Sequence, residues 1–325
     1  MKVLLTGGAG FIGHHVAHTL LTQTDAEVTF LDRLSFSGNV NRIAQLQGFD
    51  KWRKRCRWVF HDLRSPISGQ LSKQIGKHDV VMHLAALTHV DRSIEDPLDA
   101  AMCNVVGTVN LLNFAREDGC ERFFYFSTDE VFGPAPKGTA YRENDRYNSG
   151  NPYAAGKAGG EEFAMAFHNT YGLPVVVTHT MNVFGERQHP EKYIPGTIRK
   201  VKTGELVTVH ANRARTQAGS RFYIHAANVA DAMLFLIHHG EPGEKYNIVG
   251  EKEVDNLRLA QLIAEVVGSP LRYEMVDFHS SRPGHDLRYA LDGSKLAQAG
   301  WKPPATFEAR LEETVKWYLA SPEWM

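Results

Sequence analysis

Two apolar patterns alternate along the first half of the chain. Six short runs, VLLT (3–6), EVTFL (27–31), RWVFH (57–61), DVVMHL (79–84), RFFYFS (122–127) and PVVVTH (174–179), are apolar at consecutive positions and rich in β-branched and aromatic residues. Consecutive rather than alternating apolar residues predict strands covered on both faces, as in a parallel sheet. Between them the apolar spacing turns helical, over about 11–22, 38–47, 97–117 and 152–171. Repeated strand–helix–strand units predict an α/β fold, a doubly wound, Rossmann-like parallel sheet. From about residue 180 the pattern loosens. Helices are expected near 191–203, 228–239, 256–267 and 306–319, no longer in regular alternation with strands. This divides the chain into a Rossmann domain over 1–180 and a smaller lobe over 181–325 whose segments interleave with it.

Composition narrows the class of protein but not its chemistry. Among 325 residues, 36 Lys and Arg face 37 Asp and Glu, for a net charge of −1. A general nucleic-acid or membrane-surface binder would favour a basic excess, so neither partner is expected. The tryptophan-flanked basic run KWRKRCRW (51–58) leads straight into a predicted strand and reads as a solvated face. Three cysteines, Cys56, Cys103 and Cys120, are too few for a disulfide framework or a thiolate metal site. His14 and His18 share a helical face without a third ligand, so no metal is expected. No apolar run approaches the ~18 residues that span a bilayer. The N-terminus lacks the pattern of a signal peptide, so a soluble, cytoplasmic protein is expected.

Three motifs carry chemistry. After the first strand, Gly7, Gly10 and Gly13 stand at G-x-x-G-x-x-G spacing ahead of a helix. Glycines there let the backbone approach a pyrophosphate, and the helix N-terminus offers unpaired amides and a positive dipole end. The second strand runs into Asp32, whose carboxylate can accept bonds from an adenosine ribose and would repel the extra phosphate of NADP. NAD is thereby favoured, although Arg33 beside it could accommodate that phosphate. The second motif, Tyr153-Ala-Ala-Gly-Lys157, puts a phenol and an ammonium on one helical face. A nearby cation is expected to lower the phenol pKa from about 10 toward that of a usable base. Alone this would be an ordinary solvated pair; after a dinucleotide loop it points to hydride transfer. The third motif, Ser127-Thr128-Asp129-Glu130, closes an apolar strand. Ligands bind beyond the carboxyl ends of parallel strands, and adjacent carboxylates there suit acid and base work. Without the other motifs, a turn with solvated acids would read the same.

TGGAGFIG (6–13), STDEVFG (127–133) and the Tyr-x-x-x-Lys pair are accompanied by DRLSFSGN (32–39), HLAALTHVDRS (83–93), NVVGTVNLL (104–112), NPYAAGKAGGEE (151–162), PEKYIP (190–195), RPGHDLRYALD (282–292) and GWKPPATFE (300–308). Over nearly its whole length the chain thus resembles the nucleotide-sugar 4,6-dehydratases of the extended short-chain dehydrogenase/reductase superfamily, of the dTDP-glucose type. The resemblance implies tightly bound NAD and a nucleotide-diphospho-hexose substrate, of the dTDP-glucose or UDP-glucose/UDP-N-acetylglucosamine type. It implies that Tyr153 takes the proton of the C4 hydroxyl, with Lys157 and Thr128 assisting. Glu130 would then remove the C5 proton and Asp129 protonate the departing C6 hydroxyl. The cofactor residues it implies are Gly7, Gly10, Phe11, Ile12 and Gly13 in the loop, then Asp32, Arg33, Leu34 and Ser35, with Asp62 and Leu63 at the adenine. Leu84, Ala85, Ala86 and Thr88 would lie beneath the cofactor, and Tyr153 and Lys157 at the nicotinamide end. Thr88, Asn182, Arg221, Asn256, Arg282 and His285 would hold the substrate. A homodimer is implied as well.

Some stretches depart from that pattern. The segment between Glu130 and Tyr153 is shorter, Val183 stands where an asparagine is usual, and 211–225 reads more like epimerase relatives. All lie on the substrate side and leave base and sugar open. A 4-epimerase, a 5,6-dehydratase and a non-catalytic NAD-binding subunit remain as alternatives. An epimerase has no need of the acid pair, and a silent subunit has no need of Asp129, Glu130, Tyr153 and Lys157 together.

Overall fold

The six apolar runs form strands β1 (Lys2–Thr6), β2 (Glu27–Asp32), β3 (Cys56–Phe60), β4 (Val80–His83), β5 (Arg122–Thr128) and β6 (Val175–Thr180). In the computed structural model, which describes residues 1–277 and 287–325, they pair in parallel in the order β3-β2-β1-β4-β5-β6. A seventh parallel strand, Lys245–Ile248, joins beside β6. The order reverses between β1 and β4, and there the loops that leave the sheet part to open a crevice.

Consecutive apolar residues in each strand serve two cores. Val3 and Leu5, Phe124 and Phe126, and Val176 face one layer, formed with helices Phe11–Gln23 and Ala226–His239. Leu4, Phe123 and Tyr125, and Val175 and Val177 face the other, with helices Gly107–Asp118 and Pro152–Tyr171. Burying each such side chain contributes roughly 1.5–3 kcal/mol. Helix Ala226–His239 and strand Lys245–Ile248 come from the loosely patterned part of the chain, yet they complete the sheet and its first layer. A separate apolar cluster gathers helices Tyr193–Thr203, Asn256–Val267 and Phe307–Ala320 around Ile198, Leu259, Ile263, Leu311 and Val315. Among the described residues no helix is long and apolar enough to cross a membrane.

The helices differ from the sequence expectation in four places. The segment 38–47 forms only a short helix, Asn41–Ala44, because Gly48 at φ +84° turns the chain before a second short helix, Phe49–Trp52. Helices Gly69–Ile75 and Val90–Glu95 were not expected, being too short for a periodic signal. The segment 97–117 is helical but widens into a π-helical turn over Met102–Val106. There the buried Asn104 bonds both the amide (2.8 Å) and the carbonyl (3.1 Å) of Leu87, in the loop after β4. The basic run folds onto the sheet edge, where Arg55 caps the carbonyls of Thr24 (2.8 Å) and Ala26 (3.2 Å) and Trp58 stacks on Phe30.

Candidate active site

The glycine loop shapes one wall of the crevice. Gly7 has φ +71°, and its amide reaches the Leu31 carbonyl (3.2 Å) while its carbonyl takes the Gly10 amide (2.9 Å). A Cβ on Gly7 would lie 2.7 Å from the Ala85 amide nitrogen, and one on Gly13 would lie 2.2 Å from the Gly7 carbonyl oxygen. Glycine is therefore needed both where the loops after β1 and β4 meet and where the helix begins. The floor is tied down by side chains. Thr6 Oγ1 accepts from the Ala85 amide (3.1 Å) and bonds His83 Nδ1 (2.8 Å), and burial drives the His83 pKa down to about 3, with Lys157 adding to the effect.

Beyond β2, Asp32 is fixed by two amides, Ala9 on Oδ2 (3.0 Å) and Leu34 on Oδ1 (2.8 Å). The second bond needs Leu34 in the left-handed region, at φ +53°. Arg33 turns to Asp62 (3.1 Å) and Cys103 Sγ (3.4 Å). Asp62 also binds Arg64 (2.6 Å), and although partial burial opposes it, these guanidinium bonds hold its carboxyl well below the usual range.

At the other end of the crevice, β5 runs out into a tight turn. Thr128 caps that turn by accepting from the Glu130 amide (3.3 Å) and donates to Asp129 Oδ1 (3.0 Å). Asp129 is buried, and its Oδ2 has no hydrogen-bond partner among the described residues. Burial, reinforced by Glu130, pushes its pKa up to about 7 against the pull of Arg221 and Thr128. Half-buried Glu130 takes a bond from Asn151 Nδ2 (3.0 Å). Asn151 is also the cap of the long helix Pro152–Tyr171, its Oδ1 accepting from the Ala154 amide (2.8 Å). One residue thus fixes both a carboxylate and the start of the helix that carries Tyr153 and Lys157.

Tyr153 and Lys157 are both buried in the crevice wall. The expected lowering of the phenol pKa is not found in the protein alone. Burial, then Glu130 and Asp129, push Tyr153 up, with only a bond to Thr128 opposing them. Burial also brings Lys157 down to about 7, against the attraction of Glu161. A cation lowers a neighbour's pKa only while it is charged, and burial acts on both groups at once.

One cleft gathers most residues expected to act. Gly7, Gly10, Phe11, Ile12 and Gly13 line it with Asp32, Arg33, Ser35, Asp62 and Leu63. Leu84, Ala85, Ala86 and Thr88 follow, then Thr128, Asp129, Glu130, Tyr153, Lys157 and Asn182. Leu34 contributes its amide to Asp32 while its side chain points to solvent. Arg221 is anchored on the carbonyls of Ser220 (2.7 Å) and Leu287 (2.6 Å) and lies over Tyr289, outside the cleft lining. Asn256 accepts from Tyr223 (2.6 Å), also outside that lining. Arg282 and His285 lie outside the described residues.

Sequence reasoning gave no role to Ser127 or Thr180, whose buried hydroxyls in the cleft have no partner among the described residues. Their place at the ends of β5 and β6 was the available signal. It also passed over His89, His189 and Glu191, whose donor atoms lie within 4.8 Å of one another at the cleft mouth. The Glu191 amide already donates to His189 Nδ1 (3.3 Å), and Lys192 and Arg92 act on the same histidines, so a cation there would meet competition.

The chain as a whole is similar to known proteins. The family model for GDP-mannose 4,6 dehydratase matches residues 4–314. A dTDP-glucose 4,6-dehydratase of Escherichia coli is 34% identical over 354 residues, which covers 100% of this chain and 95% of that protein. The structure of DesIV, a dTDP-glucose 4,6-dehydratase from Streptomyces venezuelae with NAD bound, superposes with a TM-score of 0.89 at 34% identity, covering 100% and 98% of the two chains. A UDP-glucose 4-epimerase of Thermus thermophilus, also solved with NAD, gives 0.88 at 28% identity, covering 99% and 100%.

Proposed function

The chain belongs to the GDP-mannose 4,6 dehydratase family, and from that premise we propose that it is an NAD-dependent hydro-lyase converting a nucleotide-diphospho-hexose, dTDP-glucose foremost, to its 4-keto-6-deoxy derivative. The observation that carries this reading is the acid pair. Asp129 and Glu130 sit side by side at the end of β5, in one cleft with Tyr153, and Asp129 holds its proton up to about pH 7. A 4-epimerase moves hydride to and from C4 alone and has no proton to deliver to a departing oxygen.

The cradle fits a dinucleotide. A side chain on Gly7 or Gly13 would fill it, and the helix beginning at Phe11 offers its amide end, as a pyrophosphate requires. Asp32 stands where a ribose would be held, and the pairing of Arg33 with Asp62 leaves that guanidinium engaged, which supports NAD over NADP. When bound, the nicotinamide supplies a hydride acceptor at sugar C4 and a hydride donor at C6. Tyr153 takes the proton of the C4 hydroxyl, Lys157 stabilises the charge that the phenol acquires, and Thr128 orients that hydroxyl. Oxidation at C4 acidifies C5. Glu130 removes the C5 proton, Asp129 protonates the C6 oxygen, the C6–O bond breaks to release water, and Glu130 returns its proton to C5 as C6 is reduced. Arg221, Asn256, Arg282 and His285 are proposed for the diphosphate and nucleotide, since arginine's planar fork suits phosphate oxygens. A homodimer is proposed through the helices Gly107–Asp118 and Pro152–Tyr171, where Val106, at the start of the first, and Phe163 and Tyr171, on the second, are exposed.

The test is product mass. Purified protein incubated without added cofactor should shorten dTDP-glucose by one water, with slower or no conversion of GDP-mannose and UDP-glucose. An unchanged mass with inverted C4 would overturn the reading in favour of epimerisation. A second expectation concerns the cradle. Gly13→Ala forces the Gly7 carbonyl to move, and the purified variant should retain less than about a tenth of the wild-type dinucleotide by absorbance ratio, for a loss of about 1.4 kcal/mol or more in binding.

A further inference from the structure

Tyr153 and Lys157 share their helical face with a third buried ionisable residue, Glu161, which the chemistry above leaves unused. The three stand four residues apart, so they lie along one stripe of helix Pro152–Tyr171. Glu161 has 0% exposure and is fixed from three directions. Lys245, on the strand beside β6, reaches Oε1 at 2.9 Å. His179, on β6, lies with Nε2 3.1 Å from both carboxylate oxygens. The Tyr147 hydroxyl donates to Oε1 from the loop before the helix and accepts from Lys245 (2.7 Å). His179 is locked in turn. The Asn247 amide group donates to the carbonyls of Tyr141 and Asp292 (both 3.0 Å), which turns its Oδ1 onto His179 Nδ1 (3.0 Å).

Lys157 is faced differently. Its ammonium lies 4.2 Å from the Tyr125 ring centroid, and His83 lies close enough on β4 to feel its charge. Glu161 is the one anion acting on it among the described residues. We propose that Glu161 is a positioning residue for the reaction, a buried counter-charge that acts through Lys157 to keep the ammonium charged and that pins the rotation of the helix presenting Tyr153. This builds on the reading that Tyr153 and Lys157 perform the oxidation at C4. The bonds to two strands and a loop are what a rotational anchor needs. A glutamate buried only for stability could be replaced by apolar packing, since breaking even with desolvation is the best such pairs generally do.

The decisive measurement reads Lys157 itself, independently of any substrate. Competitive labelling with trace acetic anhydride modifies only the uncharged amine, and peptide mass spectrometry of the Lys157 peptide gives its titration midpoint. Glu161→Gln should move that midpoint to lower pH by about one unit, so that labelling about two units below the wild-type midpoint rises about tenfold. Lys245→Met removes a cation from Glu161 and should move it the other way, which keeps the test decisive where the glutamine variant folds poorly. Single-turnover nicotinamide reduction by dTDP-glucose should follow, with the rate of Glu161→Gln falling about tenfold at pH 8 and recovering toward pH 6. Unchanged midpoints in both variants overturn the proposal, whatever happens to the melting temperature. Shifted midpoints in a protein that turns over no sugar nucleotide would sustain Glu161's hold on Lys157 and sink the functional reading instead.

Discussion

Tyr153→Phe is expected to lower kcat for loss of water from the sugar nucleotide about 10³-fold while leaving bound NAD and the melting temperature near wild type. The size follows from what the hydroxyl does. General acid–base catalysis by a placed side chain contributes 10²- to 10⁴-fold, and the residues around Tyr153 offer no substitute at its position. Asp129 and Glu130 are proposed for C6 and C5, and Lys157 for stabilising the charge that the phenol acquires. The ring is buried in the cleft wall, and phenylalanine keeps its volume, so the cradle stays filled. Removing the hydroxyl also removes a buried group whose ionised form is disfavoured by burial and by two carboxylates, so no stability is lost through charge. The measurement is product mass against time in parallel with the dinucleotide content of the purified protein. Turnover within tenfold of wild type would show that Tyr153 is not the base. A variant that has lost its dinucleotide would say instead that the phenol serves binding.

Why some of this could be read from the chain and some could not has a physical pattern. Strands such as β5 were legible because Phe123 and Tyr125 serve one core and Phe124 and Phe126 the other, which leaves an unbroken apolar run in the sequence. The crevice was legible only as a site beyond the strand ends; its place between Gly7 and Leu84 comes from the strand order, which reverses between β1 and β4. The π-helical turn at Met102–Val106 was invisible because its cause, the two bonds from Asn104 to Leu87, is tertiary. The same holds for Glu161. Its partners, His179 and Lys245, lie on different strands, and nothing in the local sequence announces a buried carboxylate held by both. The state of Tyr153 was misjudged for a related reason. Spacing shows that Lys157 lies one helical turn away, but only the fold shows that both are buried and that the acid pair stands against the phenol.

Asp129→Asn is expected to separate the two halves of the reaction and, at the same time, to stabilise the protein. The amide keeps the shape of the side chain and can still accept from Thr128, but it has no proton to give to the C6 oxygen. Release of water should fall about 10³-fold, within the range for a lost general acid. Oxidation at C4 should persist, so reduced nicotinamide accumulates on mixing with dTDP-glucose and is seen by its near-ultraviolet absorbance. The pH dependence sharpens the assignment. In the wild type, kcat/KM should decline as pH rises through about 7, where Asp129 loses its proton, and that limb should vanish in the variant. The stability sign is fixed by the same titration. The folded pKa, about 7, lies above the ordinary 3.8, so the protonated form favours folding, and the benefit present at acid pH is lost between pH 3.8 and 7. At pH 8 the wild type must bury a carboxylate against Glu130. The asparagine variant avoids this, a difference on the order of 4 kcal/mol from 1.36 kcal/mol per pH unit. Its melting temperature should therefore exceed that of the wild type at pH 8 and approach it near pH 4. A variant less stable than wild type at pH 8, or one that still loses water at the wild-type rate, would show that Asp129 is not the buried acid of this site.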